Sequence, residues 1–297
     1  MIIEIKDLTK KYGNNYALNN VSLNIERGDA FGLIGKNGAG KTTLIDTLMG
    51  LREKDSGEIK IFNQNSKKGL ETARKKIGYS TEAAFYNDLS AYENLKYFAT
   101  LKGASDQSIR QALKVVELEN NRKPFKSFSL GMKKKLSLAV SLINDPEILI
   151  LDEPTSGIDP QSIANIRNML LEKSSKKTTM LISSHILSEL YKVCNKFAFI
   201  NDGKILDVID KKTLKEKTSD ILIIKTNDNP RAVVALDKLK YSNYKVNNDG
   251  EIVVYNAVSV EDISNELAKE NITILELKRN ERSLESYYLN LIGEKND

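Results

Sequence analysis

Gly35-Lys36-Asn37-Gly38-Ala39-Gly40-Lys41-Thr42 fits the pattern G-x-x-x-x-G-K-[ST] in full. The run before it, Ala30-Phe31-Gly32-Leu33-Ile34, reads as a buried strand, and Lys41–Met49 after it reads as a helix. Strand, glycine-rich loop and helix in this order make a phosphate cradle. The glycines let the backbone curl so that amide N–H groups face an anion, and the helix N-terminus adds partial positive charge. Lys41 is placed to reach β- and γ-phosphates, and Thr42 to offer a hydroxyl to Mg²⁺. Gly35, Asn37, Gly38, Ala39, Gly40 and Thr43 complete the candidate phosphate contacts.

Outward from this loop, Ile148-Leu149-Ile150-Leu151 is a short apolar run that ends in two acids, Asp152-Glu153. In a parallel sheet such a strand end lies beside the phosphate loop. Asp152 then holds Mg²⁺ and Glu153 orients or deprotonates an attacking water. Thr179–Ser183 is a second apolar run, and His185, the only histidine, follows it. Strands are expected at 1–8, 16–25 and 30–34, with a turn at Gly28-Asp29. Helices are expected at 90–103, opened by the capping box Ser90-Ala91-Tyr92-Glu93, at 131–144, and after Asp159-Pro160. A hairpin turned at Asp202-Gly203 is expected over 197–208. Strand–helix alternation implies an α/β fold with a parallel sheet wrapped by helices. The stretch from about 83 to 144 carries little strand signal and reads as a helical insert.

The 297 residues include 45 Lys+Arg and 40 Asp+Glu, a net charge of +5. Residues 215–297 sum to −3, which leaves +8 on residues 1–214. The excess suits a polyphosphate ligand or an anionic surface. No aromatic-interleaved basic patch for nucleic acid is present. A single cysteine excludes a disulfide scaffold. No apolar run approaches the roughly 20 residues of a spanning helix, and the start, MIIEIKDLTKKYG, carries no secretory core. Two domains are expected, 1–214 and 215–297, with the polar segment 211–219 as a linker candidate. The second domain reads as strand, helix, hairpin, helix, strand and a final helix, the β-α-β-β-α-β order of a small ferredoxin-like α+β domain.

Further motifs carry a family resemblance across residues 1–214. Tyr12, Ser129-Leu130-Gly131-Met132, Ser156-Gly157-Ile158-Asp159, Ser183-Ser184-His185 and Ile77–Glu82 occur in order with the phosphate loop and the carboxylates. The chain resembles the nucleotide-binding subunit of ATP-binding cassette (ABC) transporters. The resemblance implies a P-loop NTPase fold with a parallel core sheet, antiparallel N-terminal strands and a helical insert. It implies that Tyr12 stacks on adenine, that Ser129 and Gly131 hold the γ-phosphate of a second subunit's ATP, and that Asp159 crosses between subunits. It further implies that His185 contacts the γ-phosphate and that Glu82 stands at the position that links Mg²⁺ to the helical insert. Two identical or different ATPase subunits and a separate transmembrane permease are the implied partners, at the cytoplasmic face of the membrane. Four positions depart from the family pattern: Leu130 replaces a glycine, Met132 a glutamine, Glu82 a glutamine, and Lys135 stands where arginine is common. These departures leave open a regulatory ATP switch with little hydrolysis. The segments Phe85–Leu89, Tyr92–Leu95 and Ser183–Glu189 are similar to those of the bacitracin-resistance and lantibiotic-immunity exporters, which implies export of a drug or antimicrobial peptide.

Overall fold

Strands Ala30–Ile34 and Ile148–Leu151 are buried along their whole length in the computed structural model, as strands covered on both faces must be. The structure describes residues 1–80, 85–218, 221–241, 243–247, 250–255, 259–280 and 284–293. The chain divides into two compact units, Met1–Lys211 and Lys212–Asp297.

The first unit runs β1 (Ile3–Tyr12), β2 (Asn15–Ile25), β3 (Ala30–Ile34), α1 (Lys41–Met49), β4 (Ser56–Ile61), α2 (Lys67–Arg74) and β5 (Ile77–Ser80). It continues through α3 (Ala91–Leu101), α4 (Asp106–Val115), a 3₁₀ turn (Phe125–Ser127) and α5 (Leu130–Leu142). Then come β6 (Ile148–Asp152), α6 (Pro160–Ser175), β7 (Thr179–Ser184), α7 (Leu187–Val193), β8 (Lys196–Asn201) and β9 (Lys204–Asp210). A six-stranded sheet has the order β5-β6-β7-β3-β8-β9. It is parallel except for the β8–β9 hairpin. A separate antiparallel sheet, β2-β1-β4, contains the N-terminal strands. Side chains from both sheets and from α1, among them Ile3, Leu8, Phe31, Leu44, Leu48 and Ile150, share one core. The region between β5 and β6 is helical where described, and α3 opens with the full Ser90–Glu93 capping box.

Two local readings change. The segment Ile77–Ser80, for which no strand is expected above, is an edge strand paired with β6. The segment 211–219, read as a linker, is helical over α8 (Lys211–Thr218), with Leu214 fully buried. Its Lys, Leu and Glu residues are good helix formers, and one buried leucine is enough to anchor two turns.

Gly78 sets how closely α5 approaches β5. A Cβ at this position would stand 1.9 Å from the Ser141 carbonyl and 2.6 Å from Pro146. Gly78→Ala is therefore expected to cost the ~1–3 kcal/mol of an overpacked core, read as a lower midpoint of chemical unfolding. An unchanged midpoint would mean that α5 yields freely.

The second unit contains β10 (Ile221–Thr226), α9 (Asn229–Lys238), β11 (Tyr244–Val246), β12 (Ile252–Tyr255), α10 (Val260–Lys269), β13 (Ile274–Asn280) and α11 (Leu284–Leu291). Its sheet is antiparallel with the order β11-β12-β10-β13, the arrangement of a split βαβ pair. Leu222, Ile224 and Val254 of the sheet pack with Leu236 of α9 and Ile263 and Leu267 of α10. Asp228 and Ser259 cap the two helices.

Candidate functional site

Strands β3, β6 and β7 run parallel, so their C-terminal ends meet at one edge of the sheet: Ile34 is in register with Ser184, and Ser183 with Asp152. The residues that follow each strand are thereby gathered into one place. After β3 comes the glycine loop. Gly40 has φ +108°, and a Cβ there would stand 2.6 Å from the Ala17 carbonyl. Gly38 has φ +83° with open space beside it. At both positions the backbone lies where a side chain is strained, and the loop stays bare for an anion.

Lys41 is buried, and its ammonium donates to the carbonyls of Gly35 at 2.6 Å and Lys36 at 3.0 Å. It also stands 3.2 Å from Glu153 Oε1. That contact is an ion pair without hydrogen-bond geometry, since Glu153 Oε1 is a buried oxygen that accepts no hydrogen bond. Thr42 Oγ1 donates to Asp152 Oδ2 at 2.8 Å. His185 Nδ1 lies 2.9 Å from Glu153 Oε2. Glu153 itself has φ +47°, the kind of backbone strain that costs about 1–3 kcal/mol and collects at functional sites.

Sequence reasoning missed Ser183. Its hydroxyl donates to Asp152 Oδ1 and accepts from the Glu153 amide at 3.0 Å. One buried side chain thus positions both acids. The signal was in the sequence, as the first of two serines that end the strand after the apolar run Met180–Ile182, ahead of His185.

The other expected residues form a second group. Ser129 is the N-cap of α5, accepting from the Met132 amide at 3.2 Å. A Cβ on Gly131 would lie 3.4 Å from Asp159 Oδ2, so this segment packs on the loop before α6. Asp159 caps α6, and the Ser162 amide holds its carboxyl below the usual range. A cavity of about 530 Å³ is lined by Thr42, Asp152 and Glu153 of the first group and by Phe125, Leu130 and Ser156, neighbours in sequence of the second. Tyr12 ends β1 as an exposed ring. Glu82 lies outside the described residues.

These residues fit a phosphorylated nucleotide with Mg²⁺. The loop presents amides and an ammonium, Thr42 and Asp152 pair two hard oxygen donors, and Glu153 keeps a buried acceptor unsatisfied. Among the described residues no three His, Cys, Asp or Glu side chains group as a metal cage. An ion sharing one or two protein oxygens with substrate phosphates needs none.

Residues 18–156 match the ABC transporter family. The bacitracin transport ATP-binding protein BcrA of Bacillus licheniformis is 38% identical over 298 residues, covering 98% of this chain and 97% of that protein. The lantibiotic transport ATP-binding protein SrtF of Streptococcus pyogenes is 45% identical over 210 residues, 69% of this chain and 89% of that protein. The dimeric cassette MJ0796, solved in a post-hydrolysis state with ADP and Pi, superposes with a TM-score of 0.64 at 26% identity, over 70% of this chain and 98% of that one. Among the described residues no helix is long and apolar enough to cross a membrane. The strand-end constellation and the near full-length relatives agree: the chain belongs to the ATP-binding subunits of ABC transporters.

Proposed function

We propose that this chain is the ATP-hydrolysing motor of an exporter for bacitracin-like or lantibiotic peptides. In this reading it lies at the cytoplasmic face of the membrane and acts on a separate permease. The observation that carries the catalytic part is the linked set Lys41–Glu153–His185, with Thr42 and Asp152 bonded beside it. The cargo rests on the names of the relatives.

The roles follow from the chemistry of each group. Lys41 and the loop amides of Gly35–Thr43 bind the β- and γ-phosphates and offset negative charge as it develops. Glu153 accepts a proton from the attacking water. His185, bonded to Glu153 through Nδ1, orients that carboxylate and leaves its other ring nitrogen to contact the γ-phosphate. Thr42 and Asp152 would hold Mg²⁺, with Glu82 as a further ligand; the ion when bound neutralises phosphate charge. Tyr12 stacks on adenine. Ser129 and Gly131 serve the ATP of a second ATPase subunit, and Asp159 lies at the junction between the two. We assign these roles to residues 1–214, with 83–144 as the helical insert and 215–297 as an accessory domain.

Loss of this chain should lower resistance to bacitracin or to a lantibiotic. Plasmid-borne wild type should restore it, and Lys41→Ala should not. Inhibitory concentrations that do not change for either class of peptide would remove the cargo assignment. A regulatory switch is favoured by one observation, the exposed Leu130 at a glycine position on the cavity wall. Steady ATP turnover in the presence of the permease would exclude it.

A further inference from the structure

Beside the phosphate site, a chain of polar contacts runs from the core sheet to the Tyr12 ring. Asp46 is a buried acid on α1, the helix that begins with Lys41 and Thr42. The Tyr79 hydroxyl, on β5, donates to Asp46 Oδ1 at 3.0 Å. The Arg52 guanidinium donates through Nε to Asp46 Oδ2 at 2.7 Å. Both acid oxygens are therefore engaged, and the direction of Arg52 is set. Just past α1, the backbone amides of Leu51 and Arg52 bond the Asp46 carbonyl at 2.8 and 3.3 Å, so the stem of Arg52 is fixed as well.

The guanidinium carbon of Arg52 then lies 5.7 Å from the centroid of the Tyr12 ring. This is cation–π range. Lys10 also reaches the ring, at 5.6 Å, but Lys10 belongs to the strand of Tyr12 itself and pairs with Asp55. Among these cations, Arg52 is the one whose anchor sits on the phosphate-loop helix. Tyr12 needs such a restraint, being 45% exposed at the end of a strand.

We infer that Arg52, aimed by Asp46 and Tyr79, is a positioning residue that holds the Tyr12 ring as the base platform of the nucleotide site. This rests on the reading of Tyr12 as the adenine-stacking residue. The guanidinium bonds the acid through Nε and still brings its delocalised charge within reach of the ring, a combination that the single ammonium of lysine lacks. Arg52 thereby ties base recognition to the helix that carries the phosphate contacts. It acts on the base half of a nucleotide and leaves the phosphate half alone.

The test compares Mg²⁺-ADP with Mg²⁺-pyrophosphate by titration calorimetry on the full chain, since neither is turned over. Arg52→Ala should weaken ADP about two- to five-fold, the size of an exposed cation–π contact, and leave pyrophosphate unchanged. Unchanged pyrophosphate binding also shows that the loop remains folded. Adding Arg52→Ala to Tyr12→Ala should cause no further loss, and Arg52→Lys should restore only part of the ADP affinity. Unchanged ADP binding in Arg52→Ala, equal losses for ADP and pyrophosphate, or additive losses in the double variant would each overturn the inference while Tyr12 stands as the platform. A Tyr12→Ala protein that binds ADP like the wild type would remove the platform itself, and the role of Arg52 with it.

Discussion

Glu153→Gln is expected to lower ATP turnover by about 10²- to 10⁴-fold, the range lost with a positioned general base. Glutamine has the same shape and can still bond His185, but it accepts no proton at neutral pH. ATP binding should not weaken, because the substitution removes a negative charge next to the phosphate site. Two copies closed over ATP should then persist, since hydrolysis no longer reopens them. Steady-state phosphate release and light scattering with Mg²⁺-ATP read the two effects. Near wild-type turnover would show that Glu153 is not the catalytic carboxylate. Turnover loss together with equal loss of ATP affinity would assign Glu153 a binding role instead.

The second large effect is expected at Lys41. Its ammonium joins three oxygens from two parts of the site, those of Gly35, Lys36 and Glu153. Lys41→Ala removes a charged phosphate donor and leaves Glu153 without its cation. A hydrogen bond to a charged group contributes about 1.5–3 kcal/mol, so ATP affinity should fall by about 10- to 150-fold. Turnover should fall below detection. Calorimetry with Mg²⁺-ADP separates the binding loss from the chemical one. An affinity within two-fold of wild type would place the phosphates elsewhere on the loop.

The phosphate loop was legible in the sequence because its physics is local: eight consecutive residues carry the glycines, the lysine and the hydroxyl. The acids at 152 and 153 were legible for a related reason. Four apolar residues followed by two carboxylates mark a strand end, and strand ends in a parallel sheet converge. The strand order was not legible, because the pairing of β3 with both β7 and β8 depends on contacts more than 140 residues apart and carries no local signature. β5 was obscured by its length and by Gly78, whose value lies in the side chain it lacks. The Arg52–Asp46–Tyr79 chain was hidden for a similar reason. Arg52 and Tyr79 sit 6 and 33 residues from Asp46, and each alone is an ordinary polar residue. In the second unit, by contrast, the order of strands and helices read from the sequence is the order found among the described residues.

The register of β7 on β6 limits how the chain can change in length. Ser183 meets Asp152 only because the two strands are aligned residue for residue from Thr179 onward. Neighbouring side chains on a strand point to opposite faces. One residue inserted within Thr179–Ile182 would bring an isoleucine against the Asp152 carboxylate. One residue deleted would draw His185 a full step into the strand and away from Glu153. Loss or gain of a residue here would therefore abolish activity even where every side chain named above is retained. At Gly103, in an exposed turn, an added Cβ would meet nothing within 4 Å, and this turn should accept an insertion. Tolerance to length change, scanned by single-codon insertion, should trace the outline of the site as sharply as tolerance to substitution.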